Sequence, residues 1–205
     1  MMTQKEFFNS EACSWDEKCR HDMEKVEKIL DLVQIEKGSR VLDVGTGTGV
    51  LIPSLSERVT ETGQVKAIDV AENMIEIAQQ KNPYGNVLFR CEDALADSGN
   101  EEPFDHIHCY SMFPHFKNKK EAIEKLSSRL KVGGKLTICY SQNRDAINNL
   151  HKQKNEAVKE DNLPTKAAFV RLFHSTGLQT VSTVDNDEMF VMIATKTEFD
   201  PEIEK

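Results

Sequence analysis

The sequence predicts an α/β fold, a doubly wound and mostly parallel sheet with helices on both faces. Three observations lead to this prediction. Strand-like and helix-like segments alternate along the chain, a glycine-rich stretch follows the first strand, and two β-rich runs come last. Consecutive strands at the end predict an antiparallel hairpin. Because 205 residues suit one domain, we expect residues 1–205 to form a single unit.

The first elements follow from hydrophobic spacing and from helix start and stop signals. Apolar residues at helical spacing predict a helix from Asp16 to Val33. The next predicted strands are Arg40–Val44, Gln64–Asp69, Val87–Arg90 and His106–Tyr110, and the helices between and after them are Val50–Glu57, Glu72–Lys81 and Lys119–Leu130.

The second half begins with Val132-Gly133-Gly134, which predicts a helix stop and a turn into a fifth strand, Lys135–Tyr140. A polar, helix-prone insertion follows near residues 144–161. Leu163-Pro164-Thr165 predicts the start of another helix, closed by Gly177. The final strands are predicted at Thr180–Val184 and Met189–Thr195.

Composition argues against several classes of protein. A net charge of −8 with no extended basic run disfavours a nucleic-acid-binding surface. The apolar runs stay near strand length, so we expect no membrane contact, and the N-terminus lacks the apolar region of a secretory signal. We therefore expect a cytoplasmic protein whose five cysteines are reduced thiols. His106 and His108 share a strand face without a third ligand at suitable spacing, so we expect no metal site.

The glycine-rich stretch is Val-Leu-Asp-Val-Gly-Thr-Gly-Thr-Gly, residues 41–49. Its third glycine comes one residue too early for the dinucleotide pattern G-x-G-x-x-G, and no Lys-Ser/Thr pair follows as in a P-loop. Alone, it could be only a tight turn. Asp69 ends the second strand, where an acid can bind both ribose hydroxyls of an adenosine-type ligand. Glu92-Asp93-Ala94 follows the third strand, where a carboxylate can accept a hydrogen bond from an adenine amino group.

In order, these stretches resemble the motifs of class I S-adenosylmethionine-dependent methyltransferases, most closely the small-molecule branch that is similar to the ubiquinone/menaquinone methyltransferases. The resemblance runs from about Ser39 to the C-terminus and includes Phe104-Asp105 and residues 130–136, Leu-Lys-Val-Gly-Gly-Lys-Leu. It implies a Rossmann-like, seven-stranded sheet whose last strand inserts antiparallel. It also implies S-adenosylmethionine as the methyl donor and S-adenosylhomocysteine as the product.

The resemblance further implies a cofactor role for individual residues. Asp43 would hold the loop and the donor's amino group, and Asp69 would bind the ribose. The methionine and ribose portion would lie on Gly45, Thr46, Gly47 and Gly49, the adenine would contact Val70, Met74, Glu92, Asp93 and Ala94, and Tyr110 and Ser111 would lie below the sulfonium.

The acceptor side is less sharply predicted. Methyl transfer is an in-line displacement that depends chiefly on alignment, so a base is optional, and His115 is the best-placed candidate. We expect residues 1–38 to form a helical lid that brings Trp15 and His21 to the substrate, ahead of a core at residues 39–205. Past the fifth strand, we expect Arg144, Asn148 and His151 to contact the substrate.

Two functions from different classes remain open. The first is methyl transfer to a small-molecule acceptor, and the second is a non-catalytic sensor or partner subunit that binds S-adenosylmethionine or S-adenosylhomocysteine. A closed pocket lined by His115 and residues 141–151 favours the enzyme, whereas an open crevice favours the binder. A nicotinamide-dependent oxidoreductase is disfavoured by the glycine spacing. The acceptor, the methylated atom and the oligomeric state do not follow from the sequence.

Overall fold

The sheet has seven strands in the order β3-β2-β1-β4-β5-β7-β6. The computed structural model describes residues 2–97, 99–152, 158 and 161–198, without the side chains of His151 and Lys152. The strands are β1 (Arg40–Val44), β2 (Gln64–Asp69), β3 (Val87–Cys91), β4 (Phe104–Tyr110), β5 (Leu130–Tyr140), β6 (Leu178–Asp185) and β7 (Phe190–Lys196). Strands β1 to β5 are parallel, and β7 lies antiparallel between β5 and β6. The predicted fold class is confirmed.

Helices cover both faces of this sheet. They are α1 (Gln4–Glu11), α2 (Trp15–Lys18), α3 (Met23–Val33), α4 (Ile52–Val59), α5 (Glu72–Lys81), α6 (Lys119–Ser128), α7 (Arg144–Lys152) and α8 (Lys166–His174). Short 3₁₀ turns occupy Ala12–Ser14 and Phe113–His115. Buried apolar residues of α6 and α8 pack on one face and those of α3, α4 and α5 on the other, so each face has its own core. Among the described residues, no helix is long and apolar enough to cross a lipid bilayer.

The predicted helix from Asp16 to Val33 is wrong in one respect, because the chain leaves the helical path between α2 and α3. Asp22 has an extended backbone, and its carboxylate accepts a hydrogen bond from the Lys25 backbone N–H at 3.2 Å. It therefore starts a new helix as an N-cap. Hydrophobic spacing alone did not reveal this break, which turns the first helices toward the carboxyl ends of the strands.

The predicted turn at Val132-Gly133-Gly134 is also wrong, since these residues lie inside β5. Leu130 pairs with Phe104, but Lys135 already pairs with His106, so the residues between them form an irregularity in the ladder. Gly133 adopts a φ of 80°, which a glycine tolerates at little cost. The glycines mark a bulge in a continuing strand.

Smaller differences concern helix ends. Helix α4 begins at Ile52 rather than Val50, and α6 ends at Ser128 because Leu130 already belongs to β5. Helix α8 begins after Thr165 as predicted, but its C-cap is Ser175, with Gly177 two residues later. In the predicted insertion, the structure gives α7, and residues 153–157 and 159–160 lie outside the described part of the chain.

Candidate active site

A cavity of about 420 Å³ lies at the carboxyl ends of β1, β2 and β4, where a parallel sheet of this kind opens its ligand crevice. The first helices of the chain cover it. Most residues predicted from the sequence line this cavity: Gly45, Thr46, Gly47, Asp69, Val70, Met74, Glu92, Asp93, Ala94, Tyr110, Ser111, His115, Trp15 and His21. One cavity therefore gathers both the candidate cofactor residues and the candidate acceptor residues.

The glycine loop runs close to the chain that follows β4. Gly45 has a φ of 66°, and a Cβ atom there would lie 2.9 Å from the Met112 Cβ, so only glycine fits without a shift. Gly49 faces away from the cavity, because a Cβ there would lie 2.5 Å from the Asn82 Nδ2. The structure thus gives Gly49 a packing contact below the loop rather than a place in the lining.

Asp69 is held by two backbone N–H groups. Its Oδ2 accepts from Gly47 at 3.0 Å and its Oδ1 accepts from Ala71 at 2.9 Å. Burial raises the pKa of this carboxyl, and the two N–H groups partly oppose that shift. Because a carboxylate has about four acceptor positions, each oxygen keeps one for a hydroxyl in the cavity.

Asp43 lies beneath the loop and is only 2% exposed, so it is not part of the lining. Among the described residues, nothing donates a hydrogen bond to its Oδ2. Burial raises the pKa of Asp43 to about 7. A buried carboxyl group with an unused oxygen is costly unless a donor or a positive charge comes near it.

The segment after β3 is fixed by ion pairs. Glu92 contacts Lys66 at 2.8 Å and Arg129 at 3.3 Å, and Arg129 also donates to the Ala94 carbonyl at 3.1 Å. The Asp93 Oδ1 accepts from the Leu95 backbone N–H at 2.9 Å. Glu92 is therefore engaged in holding the loop, whereas Asp93 keeps acceptor capacity toward the cavity.

The N-terminal helices are tied to this site by polar contacts. Asp16 accepts from the Thr48 hydroxyl at 2.6 Å and from the Lys81 ammonium at 2.5 Å. The Trp15 indole nitrogen lies 3.8 Å from where a Cβ on Gly47 would be. Helix α2 therefore covers the glycine loop.

A second contact joins the same segment to β4. The His21 Nδ1 lies 2.9 Å from the Tyr110 hydroxyl, which is also 2.8 Å from the Ser141 hydroxyl. Burial lowers the pKa of His21 and raises that of Tyr110 to about 12, so both groups are neutral at pH 7. They form a neutral hydrogen-bonded chain at one end of the cavity.

His115 lies on the 3₁₀ turn after β4 and contacts an acid that sequence reasoning missed. Its Nδ1 is 2.6 Å from the Asp161 Oδ2, and the Phe8 ring meets the imidazole edge-on at 5.0 Å between centroids. Gln4 and Phe8 of α1 also line the cavity. Gln4, Phe8 and Asp161 do not lie at the ends of strands, so no strand-end motif marked them. The capping box of Thr3 and Glu6 signals the start of α1 and could have indicated the helix that carries Gln4 and Phe8.

The segment after β5 was expected to reach the cavity, but its described side chains do not. Arg144 pairs with Asp145 at 2.9 Å, and Asn148 holds the backbone of Leu163, accepting from its N–H at 2.7 Å and donating to its carbonyl at 3.3 Å. Helix α7 thus binds the chain leading to α8, and neither Arg144 nor Asn148 lines the cavity. The side chain of His151 lies outside the described part of the structure.

The two strand histidines, His106 and His108, are buried with their ring centroids 6.4 Å apart. Burial lowers the pKa of His106 to about 4 and that of His108 to about 3. They lie within β4, before its carboxyl end, and outside the cavity lining. Within the described ranges, no cluster of three His, Cys, Asp or Glu side chains could hold a metal ion.

Comparison with known proteins gives the family. A family model described as a methyltransferase domain matches residues 35–203. The chain is 28% identical over 172 residues to a malonyl-acyl-carrier-protein O-methyltransferase of Bacillus cereus, covering 82% of this chain and 63% of the relative. It is 28% identical over 120 residues to a demethylmenaquinone methyltransferase of Staphylococcus epidermidis, covering 58% and 49%. The chain thus spans 49% to 63% of the length of these two relatives.

A solved structure shares the fold. The S-adenosylmethionine-dependent methyltransferase from Aquifex aeolicus superposes with a TM-score of 0.70 at 22% identity, covering 91% of this chain and 97% of that one. The family match spans most of the chain, so the predicted resemblance to methyltransferases is confirmed. The glycine loop, Asp69 and Asp93 are gathered at one cavity, in agreement with this match. This chain belongs to the methyltransferase domain family.

Proposed function

We propose that this protein transfers a methyl group from S-adenosylmethionine to a small-molecule acceptor by in-line displacement in the cavity described above. The observation that carries the proposal is that the glycine loop, Asp69, Asp93 and His115 line one covered cavity. The first three would bind the donor, and His115 would lie on the acceptor side. The cytoplasmic location predicted from the sequence remains part of this proposal.

The donor-side roles follow from available acceptors and from charge. Asp69 would accept hydrogen bonds from both ribose hydroxyls, and Asp93 one from the adenine amino group. Val70 and Met74 would pack on the adenine ring. Gly45, Thr46 and Gly47 would support the methionine portion. Asp43, which lies beneath the loop, would attract the donor's positively charged amino group from below. Since Asp43 is buried with an unused oxygen, a nearby positive charge would stabilise its ionised form.

The acceptor side is mostly apolar and aromatic. Phe8, Trp15, Met112 and Phe116 line it together with His115. Acidic side chains in the lining favour the positively charged sulfonium and disfavour an anionic acceptor. Lys117, the one lysine among the described lining residues, is exposed. We therefore propose an aromatic or otherwise apolar acceptor. A volume of 420 Å³ is near the low end for ligand pockets, so an acceptor that shares it with the donor is small.

The expected lining by residues 141–151 is not found among the described side chains, but two other features favour the enzyme over a non-catalytic binder. The N-terminal helices cover the cavity through Trp15 and Phe8, and an oriented histidine lies beside it. Both features suit chemistry that excludes water. We propose that the lid is limited to the segment before α3, residues 2–21, with Asp16 and His21 among its attachment points to the core. The rest of the predicted lid, residues 22–38, includes α3, which packs on the sheet as part of the core.

The test has two parts. Calorimetry should show binding of S-adenosylmethionine and S-adenosylhomocysteine, and no binding of NAD; binding of NAD alone would overturn the donor assignment. Release of S-adenosylhomocysteine is then measured with phenols, hydroxyquinones, carboxylic acids and amines as acceptors. Transfer to an aromatic hydroxyl supports the proposal, and donor binding without transfer to any acceptor supports the binder.

A further inference from the structure

Three elements that are distant in the sequence meet at the imidazole of His115. The Asp161 Oδ2 lies 2.6 Å from the His115 Nδ1 and also accepts from the Gln4 Nε2 at 3.0 Å. The side chains of His115 and Asp161 are 16% and 11% exposed. Gln4 belongs to α1 and Asp161 to the segment before α8, so this contact joins the N-terminal segment to the far half of the chain.

The imidazole of His115 separates the Asp161 carboxylate from the cavity. His115 and Gln4 line the cavity, whereas Asp161 does not, so the imidazole lies between the carboxylate and the space for ligands. A short contact from Nδ1 to a carboxylate fixes the hydrogen on Nδ1. The remaining nitrogen, Nε2, then carries the lone pair of the neutral ring. The Phe8 ring, in a T-shaped contact with the imidazole, also limits its rotation.

We propose that Asp161 is a positioning residue that holds His115 in the tautomer able to take a proton from the acceptor, and that Gln4 fixes Asp161 from the N-terminal segment. This inference rests on the proposed function. A histidine oriented by a carboxylate through one nitrogen is an arrangement in which the other nitrogen acts as a general base.

In the proposed reaction, methyl transfer and proton removal occur together. An acceptor O–H oxygen attacks the methyl carbon, an O–C bond forms, and the C–S bond breaks with its electron pair passing to sulfur. The proton of the acceptor moves to the His115 Nε2. The resulting imidazolium is stabilised by the Asp161 carboxylate, which stays ionised. Solvent removes the proton when the product leaves.

The arrangement also links the lid to the chemistry. Gln4 and Phe8 both contact the pair from α1, so displacement of residues 2–18 removes one hydrogen bond from Asp161 and one ring contact from His115. The base is therefore fully oriented only when the N-terminal segment is in the position seen here. A base assembled by the lid acts when the cavity is covered and water is excluded.

The first test is spectroscopic and needs no acceptor. Two-bond ¹H–¹⁵N spectra at pH 8 report the tautomer of each histidine, and His115→Gln identifies the His115 signals. We expect the Nδ1–H tautomer in the unaltered protein and its loss in Asp161→Ala, with Asp161→Glu restoring it. Asp145→Asn, which changes an exposed acid on α7, is the matched control and should leave the signals in place. An Nε2–H tautomer in the unaltered protein, or no change in Asp161→Ala, would overturn the inference.

The second test uses whichever acceptor releases S-adenosylhomocysteine from S-adenosylmethionine. Asp161→Ala and the isosteric Asp161→Asn should lower kcat by about 10- to 100-fold, and His115→Gln by about 100-fold or more, as for a lost general base. The Kd for S-adenosylhomocysteine should stay within about twofold, which shows that the variants are folded. An unchanged kcat in Asp161→Asn and Asp161→Ala would overturn the positioning role. Failure of donor binding in the unaltered protein would instead overturn the proposed function.

Discussion

Replacing Asp43 by Asn should stabilise the protein, and by more at pH 7 than at pH 5. Asp43 is almost fully buried, and no described group donates to its Oδ2. Burial raises the pKa of this carboxyl from 3.8 to about 7. A carboxyl whose pKa is raised by folding does not oppose folding below pH 3.8. It becomes increasingly destabilising as the pH rises toward 7, because only the unfolded chain ionises freely.

The size of the effect follows from the two pKa values. The cost of Asp43 to the free energy of unfolding grows by about 1.4 kcal/mol per pH unit between the two pKa values. From pH 5 to pH 7 it therefore grows by about 2 kcal/mol, and above pH 8 it levels off near a total of about 4 kcal/mol. Asparagine keeps the shape of the side chain and cannot ionise. The stability of Asp43→Asn relative to the native sequence should rise by the same amounts.

The assay is urea unfolding of both proteins at pH 5, 6, 7 and 8, with the difference in free energy of unfolding plotted against pH. Asp187→Asn, which changes an exposed acid between β6 and β7, is the matched control and should give a flat difference. A flat difference for Asp43→Asn would show that this prediction is wrong. It would mean that Asp43 ionises in the folded protein as readily as in the unfolded chain.

Three further predictions concern ligand binding and the loop. Asp69→Ala should weaken binding of S-adenosylhomocysteine by about 100-fold or more in calorimetry, since charge-assisted hydrogen bonds contribute about 1.5–3 kcal/mol each. Glu76→Ala, which changes an exposed acid on α5, is the matched control and should leave binding unchanged. Gly45→Ala should impair folding and donor binding because its Cβ has no room, whereas Gly133→Ala, with open space around it, should lower stability by only about 1 kcal/mol. Trp15 is the only tryptophan, so donor binding should change its fluorescence, and Trp15→Phe should abolish the signal.

Each of these three predictions can be contradicted by one result. Unchanged donor affinity in Asp69→Ala would remove that residue from the ribose site. Equal losses in Gly45→Ala and Gly133→Ala would show that backbone conformation, and not the close approach of Met112, decides the first position. A tryptophan signal that does not respond to saturating donor would place the ligand away from α2.

The parallel part of the sheet could be predicted from the sequence because each of its elements has a local signal. The bounds of β2 and α5 match the prediction at every residue, since an apolar run, a terminal acid and Asn82-Pro83 mark them. The gathering of most cofactor candidates at one cavity could be predicted for the same reason. Residues at the ends of successive parallel strands meet at one sheet edge, so Asp69 and Asp93 reach one cavity.

The acceptor side depends on contacts between distant segments and could not be predicted. Asp161 meets His115 across 46 residues, and Gln4 meets Asp161 across 157. Arg144 and Asn148 have suitable chemistry and a suitable place in the chain, but α7 turns them toward neighbouring backbone and side chains. The glycines at 133 and 134 illustrate another limit, because a turn and a bulge use the same residue types.

The most direct test of the central claim is a crystal structure of the protein with S-adenosylhomocysteine. We expect both ribose hydroxyls within hydrogen-bond distance of the Asp69 carboxylate, the adenine amino group at Asp93, and the sulfur facing the part of the cavity that contains His115. A ligand bound elsewhere, or one in this cavity with its ribose away from Asp69, would show that the donor site is not the one proposed.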